Sequence, residues 1–295
     1  MSGADAWIEA LEEGLANVRA GQTFREAFSQ IPNLRGEAAE AARWQAFAGR
    51  VTSGRLSAEA GLVAWLQELR LRRRVQRLAA RKTALPRLQA RVLGALALLL
   101  LLLSQFLFPA ELRPKPGEFT LSCALVAAAL GSMHALIARF TRRLWDLDWL
   151  LFLARVDAGL AWGAGPAAAW SEAWDEVRDA AWPAVLRARV DSWIQGLRSG
   201  QPRPPEAVTD SDPALARALA QLKRLTERIA RGLESRPLLR AFAENGWEAA
   251  EARAETEGER LGLQLLAPLF LALVPALLLP LWAPVWRLIS GAGPS

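Results

Sequence analysis

Cysteine and histidine are almost missing from this 295-residue chain, which has one of each. Cys123 has no partner for an intramolecular disulfide and cannot build a cysteine-based metal site. A lone His134 leaves most nucleophile–base arrangements without their base. Gly131 and Ser132 lie near it in sequence, but a single helix does not place a nucleophile against a base. No Gly-rich segment ending in Lys-Ser/Thr is present to cradle a nucleotide's phosphates, and no Gly-x-Ser-x-Gly elbow to expose a serine. The apolar–polar alternation of a half-buried strand is absent over any length. The opening MSGADAWIEALEEG has neither the basic start nor the apolar core of a signal peptide. These absences lead to the expectation of a non-enzymatic, all-helical chain with no cofactor and no metal.

Apolar residues are in excess, at 52% of the chain, and they concentrate in three runs. Val92–Phe108 and Phe119–Ala138 hold 17 and 20 residues without a charge. As helices they measure roughly 26 and 30 Å at ~1.5 Å per residue, against a hydrocarbon layer ~30 Å thick. The connecting PAELRPKPGE is too short to fold alone, so the two runs are expected to form a transmembrane hairpin over 92–138. Leu261–Trp286 is expected to be a third span, followed by a short outer tail at 287–295. The remaining segments, 1–91 and 139–260, are expected to be water-facing helical domains.

The net charge of +6 arises in residues 1–91, while 139–260 is close to neutral. Arg70, Arg72, Arg73, Arg74, Arg77, Arg81, Lys82, Arg87 and Arg91 precede the first run, and Arg139, Arg142 and Arg143 follow the second. In the hairpin loop Arg113 and Lys115 are balanced by Glu111 and Glu118. Cationic flanks stay on the cytoplasmic side. The expected orientation puts the N-terminus and both helical domains in the cytoplasm, with the hairpin loop and the C-terminal tail outside.

Within 1–91, Trp7, Ile8, Leu11, Leu15 and Val18 recur at helical spacing, and Gly21 ends that helix. Thr23 and Glu26 form a capping-box pattern for a helix over 23–30, which Pro32 and Gly36 break. A helix over about 37–53 ends at Gly54. Ser57 then caps a long helix carrying Leu62, Trp65, Leu66, Leu69 and Val75 toward the membrane, with Pro86 expected to kink or interrupt it. Within 139–260, helices are expected over about 145–162, 166–180, 183–198 and 212–231. Asp212-Pro213 supplies a cap, and Ser235 opens a helix continuing into the third span. Short connections make antiparallel neighbours, so both domains read as helical bundles. An internal repeat is also expected. Arg19-Ala-Gly21-Gln22 matches Arg198-Ser-Gly200-Gln201, and Val51-Thr-Ser-Gly54 matches Ile229-Ala-Arg-Gly232, at nearly equal separations.

Leu151-Phe-Leu-Ala-Arg-Val-Asp-Ala-Gly159-Leu160 is an apolar helix ending in a small residue, Gly and Leu. LRSGQPRPPEAV (197–208) and VRAGQTFREAF (18–28) each place a Gly before a short Glu-Ala segment. On these motifs, and on the order helical domain, two spans, helical domain, one span, the chain resembles the type II secretion system F-domain family. These are the inner-membrane platform proteins of type II secretion, type IV pilus and tight-adherence pilus machines. The chain departs from the family in its shortened first domain, and in lacking an additional N-terminal span seen in some tight-adherence members. The resemblance implies a location in the bacterial inner (cytoplasmic) membrane. It implies a secretion-type hexameric ATPase as one partner and a pilin or pseudopilin as another. Small-residue faces in the spans favour homo- or hetero-oligomers.

Two charged groups are candidate partner contacts. Arg72, Arg73 and Arg74 belong to the basic cluster, which either docks an acidic partner or anionic membrane lipid, or serves only as a cytoplasmic anchor. That cluster lies against the membrane without interleaved aromatics, which argues against nucleic acid. Glu244, Glu248, Glu251 and Glu255 share one helix face, as a partner-facing stripe, a divalent-cation site or a solvated surface. Pro268, Pro275 and Pro280 are a candidate membrane hinge, or a kinked span satisfied by its neighbours. His134 is either a proton-path residue or a neutral interface histidine. Gly94, Gly131, Ser122 and Ser132 are positions where helices could approach closely. A transporter or channel subunit would need polar residues lining the spans, and few are available beyond Gln105, Gln264 and His134. An anchor for another cytoplasmic complex differs from the platform only in its partner.

Overall fold

The computed structural model describes residues 3–28, 38–52, 58–107, 115–201 and 212–289, and all regular structure among them is helical. Helix α1 (Gly3–Arg19) buries Trp7, Ile8, Leu11 and Leu15, the stripe its spacing predicts. It ends in a left-handed Gly21 with φ of 93°. There the Gly21 N–H donates to the Val18 carbonyl and the Gln22 N–H to the Asn17 carbonyl, the paired closure that a glycine after a helix permits. Gly200 closes α8 (Ala184–Arg198) in the same way, through Leu197 and Gly196. The two matching Arg-x-Gly-Gln segments thus share one cap geometry. So do Gly163 and Gly232, which makes the cap a general device of this chain.

Helix α2 (Phe24–Ala27) starts at the expected capping box: the Glu26 N–H donates to Thr23 Oγ1 at 3.4 Å, and the Thr23 N–H donates to Glu26 Oε2 at 3.1 Å. Helix α3 is Ala38–Thr52. The breakers Pro32, Gly36 and Gly54 and the cap Ser57 lie outside the described residues. Helix α4 (Ala58–Leu107) runs on as helix through Pro86. A proline removes one N–H, and long helical stretches on both sides propagate past it. Next come α5 (Pro116–Arg143), α6 (Trp145–Ala161), α7 (Pro166–Val177), α8 and α9 (Pro213–Ala230). Asp212 caps α9 by accepting the Ala214 N–H at 2.9 Å, with Pro213 in the first turn. The chain ends in α10 (Arg236–Gln264), α11 (Leu266–Pro268), a π-helical turn (Leu269–Leu273) and α12 (Val274–Ile289).

The chain divides into two compact units, Met1–Arg77 with Leu144–Glu251, and Leu78–Arg143 with Ala252–Ser295. The water-facing segments read separately from sequence therefore contribute to the same unit. That unit holds two aromatic cores. One gathers Trp7, Phe28, Trp44, Phe47 and Trp65 with Trp162; the other gathers Trp149, Phe152, Trp170, Trp174, Trp182 and Trp193. The second unit is aliphatic, with Ala97 and Leu101 of α4, Val126 and Ala129 of α5, and Leu273 and Ala276 of the last segment meeting at its centre. Three helices, Ala58–Ser104, Pro116–Ala161 and Arg236–Leu279, are long and apolar enough to cross a membrane, and each overlaps one of the three runs expected from sequence.

Small residues set the spacing in that second unit unequally. A Cβ on Gly94 would meet Leu130 Cδ2 at 2.9 Å, so α4 and α5 approach closely there, while Gly131 faces open space. Ser132 bonds back to the Ala129 carbonyl. Ser122 is fully buried, and its hydroxyl has no partner among the described residues. His134 lies on the exposed side of α5, and its Nδ1–H donates to the Leu130 carbonyl one turn earlier at 2.8 Å. Pro268 and Pro275 flank the π-helical turn. Pro275 has no N–H for the Leu271 carbonyl, so the winding there departs from α. The side chain of Pro280 lies outside the described residues.

Candidate functional site

In the first unit, the start of α4, together with α6 and the start of α10, encloses a cleft of about 370 Å³. Two buried carboxylates fix its walls. Glu68 lies on the apolar face of α4 between Trp65 and Leu69, where an unpaired charge would be costly. Arg43 of α3 meets it with two hydrogen bonds, Nη1 to Oε1 at 3.1 Å and Nη2 to Oε2 at 2.8 Å. Arg155 of α6 stands 3.6 Å from Glu68 Oε1 and also pairs with Glu176 of α7. Burial pushes the Glu68 carboxyl up, but the guanidiniums of Arg43, Arg155 and Arg72 outweigh it and hold the group below the usual carboxylate range. The Arg43 guanidinium also lies 5.6 Å from the Trp65 ring centre and 5.0 Å from that of Trp162.

Asp157 is the second anchor. Its two carboxylate oxygens accept from Arg236 Nε at 3.1 Å and from Arg240 Nε at 3.0 Å, tying the start of α10 to α6. Gly246 continues the seam, since a Cβ there would meet Leu150 Cδ2 at 2.4 Å. With α10 held on that side, Glu244, Trp247 and Glu248 are turned into the cleft, facing Arg70 and Arg74 of α4. Arg70 is held by Glu12 at 2.8 Å. Arg74, Glu244 and Glu248 have no charged partner among the described residues, so both signs of charge are presented to solvent across one opening.

The residues singled out in sequence separate on this framework. Arg74, Glu244 and Glu248 meet at the cleft, whereas Arg72 lies beside Glu68 and Arg73 pairs with Asp5 at 2.6 Å. Glu251 is exposed, and Glu255 belongs to the second unit, 3.5 Å from Lys82. The four glutamates all stand on the continuous helix α10, Glu244 and Glu248 at the cleft and Glu255 beside Lys82, and among the described residues no group of three or more His, Cys, Asp or Glu side chains is arranged to hold a metal ion. Sequence reasoning missed Glu68 and Asp157. The available signal was a carboxylate on the apolar stripe of its helix, Glu68 beside Trp65 and Leu69, and Asp157 in line with Leu153 and Ala161.

Close by on α6, Asp148 is partly buried 2 residues from Asp146. Burial first, and the Asp146 charge second, raise its pKa to about 6. No family model, no curated protein and no solved structure matches this chain.

Proposed function

We propose that the chain is a non-enzymatic platform in a bacterial inner membrane. In this reading it couples a cytoplasmic hexameric assembly ATPase to the polymerisation of a pilin or pseudopilin, as in type II secretion and type IV pilus machines. The supporting observation is that α4 and α10 each contribute one stretch to the compact charged unit and another to the apolar one. At these two crossings the chain passes between the units as continuous helix and not as a flexible linker. Helix α4 alone is 50 residues, about 75 Å at ~1.5 Å per residue. The cleft with Arg74, Glu244 and Glu248 is the proposed motor contact, because it presents charge of both signs on an internally braced framework. The charge distribution supports a cytoplasmic location for that unit. The transporter reading is less well supported, since His134 is turned outward and bonded within its own helix.

The test is affinity capture of the tagged full-length chain from cross-linked, detergent-solubilised membranes, followed by mass spectrometry. Recovery of a secretion-type ATPase and a pilin-like protein, both reduced by Arg74→Glu with Glu244→Lys, is the expected result. Repeated captures without either, together with solute flux in liposomes, would sink the platform reading.

A further inference from the structure

The second unit contains a groove of about 890 Å³ between α4 and the segment from α10 to the first residue of the π-helical turn, with Met133 of α5 also lining it. Its chemistry is graded along its length. At one end stand Arg81 and Lys82 of α4 with Glu255 and Glu259 of α10; further along the same helices come Leu85, Leu88 and Val92 facing Leu265, Leu266 and Leu269. Lys82 and Glu255, 3.5 Å apart, pin the two helices at the charged end, so both run from charged to apolar in the same sense. Arg81 and Glu259 are exposed and have no charged partner among the described residues. Gly262 leaves space in the groove, and Pro86 leaves a backbone acceptor beside it. Gly262 has nothing within 4 Å of where a Cβ would stand. Pro86 has no N–H, which leaves the Lys82 carbonyl without its regular donor. Leu85, Leu88 and Val92 are each more than half exposed.

We infer that this groove binds one glycerophospholipid with a zwitterionic, primary-ammonium headgroup, of the ethanolamine class. On α4 the groove extends about 16 Å from Arg81 to Val92, where the first apolar run begins, and on its other side Leu265, Leu266 and Leu269 already belong to the third run, so the groove lies at the edge of the apolar layer. The headgroup phosphate pairs with Arg81 and Lys82. The ammonium donates to Glu259 and to the Lys82 carbonyl, and an acyl chain lies along the leucines. The equal count of cations and carboxylates is what selects a zwitterion over an anionic lipid. A choline headgroup has no N–H to give these acceptors. The inference needs the three apolar helices to cross a bilayer, and it is independent of any motor or filament.

The experiment is native mass spectrometry of the full-length protein, released from micelles holding equal amounts of phosphatidylethanolamine, phosphatidylcholine and phosphatidylglycerol. Retention of phosphatidylethanolamine about ten-fold above the other two is expected, a difference of ~1.4 kcal/mol. Arg81→Glu, at an exposed position, should remove that preference. Gly262→Trp should fill the groove and abolish retention of all three. Gly131→Trp, which also enters open space but on α5, should change nothing. Equal retention of the three lipids, phosphatidylglycerol retained best, or unchanged binding in Arg81→Glu would each overturn the assignment. So would a photo-cross-linker at position 262 that captures a polypeptide and no lipid.

Discussion

Within residues 144–251, Trp149, Trp174 and Trp182 donate their indole N–H groups to Gln221, Asp191 and the Val177 carbonyl, all from that same segment. The aromatic cluster of residues 1–77 is completed differently. It takes in Trp162, whose N–H donates to the Gly61 carbonyl at 3.2 Å and whose ring stands edge-on to Trp65 at 5.2 Å. Ala158 and Ala161 join the same cluster, and Arg50 donates to the Trp162 carbonyl. Three short helices and the first turns of α4 enclose too little apolar volume to close a core alone. The first bundle thus completes its aromatic core with residues of the second, whereas these three indole donors of the second find their acceptors within its own segment.

That asymmetry is open to direct attack. Trp162→Ala should have the largest effect, costing about 4 kcal/mol by opening a cavity in the borrowed part of the first core. Hydrogen exchange in detergent should then show α1 and α3 losing protection while α8 and α9 keep theirs. Equal loss in both would remove the asymmetry. Glu68→Ala should come next, at about 3 kcal/mol, because it removes the buried carboxylate that Arg43 and Arg155 share. A double-mutant cycle with Arg43→Ala should recover a large part of that cost.

Acidity should separate the two bundles further. The Glu68 carboxyl is held below its ordinary 4.5, so its contribution is present at neutral pH and is lost as the pH falls through the folded value. The Asp148 carboxyl is raised from 3.8 to about 6, so its contribution is full below 3.8 and is lost as the pH rises through about 6. Asp148→Asn should therefore stabilise the second bundle by on the order of 2 kcal/mol above pH ~6.5, and by nothing measurable below pH ~3.5. Thermal melts at the two extremes read this directly. The smallest effect is expected from Thr23→Ala, about 1 kcal/mol from the lost capping box, seen as faster exchange in α2 alone.

The sequence revealed what depends on neighbours along the chain. The capping box at Thr23 and Glu26, the Asp212-Pro213 start and the helix ends at Gly21 and Gly232 need only a few adjacent residues to be recognised and stand where expected, and the three long apolar helices overlap the expected runs. The cleft was only partly legible. Arg74, Glu244 and Glu248 belong to charge patterns visible in sequence, but the side chains that brace them do not. Glu68 takes its meaning from Arg43, 25 residues before it, and Arg155, far beyond the hairpin. Asp157 takes its meaning from Arg236 and Arg240. Spacing along one helix gave the shared face of the four glutamates but not their neighbours, a cleft for Glu244 and Glu248 and Lys82 for Glu255. At Pro86, expected to kink or interrupt the helix, no interruption occurs, because the helix on either side carries through.

The turn at Leu269–Leu273 winds wider than an α-helix, with hydrogen bonds reaching one residue further. One residue corresponds to about 100° of rotation, so this turn sets the phase of everything that follows it. Leu273 and Ala276 reach the centre of the aliphatic unit because of that phase, and Trp282 and Trp286 point outward by the same setting. Deleting one residue here would shorten the helix by only about 1.5 Å, yet it would turn the outer face of the last segment toward its neighbours. The sequence of α12 is thus written in a register that begins at Leu273, and substitutions within it are to be read from that origin.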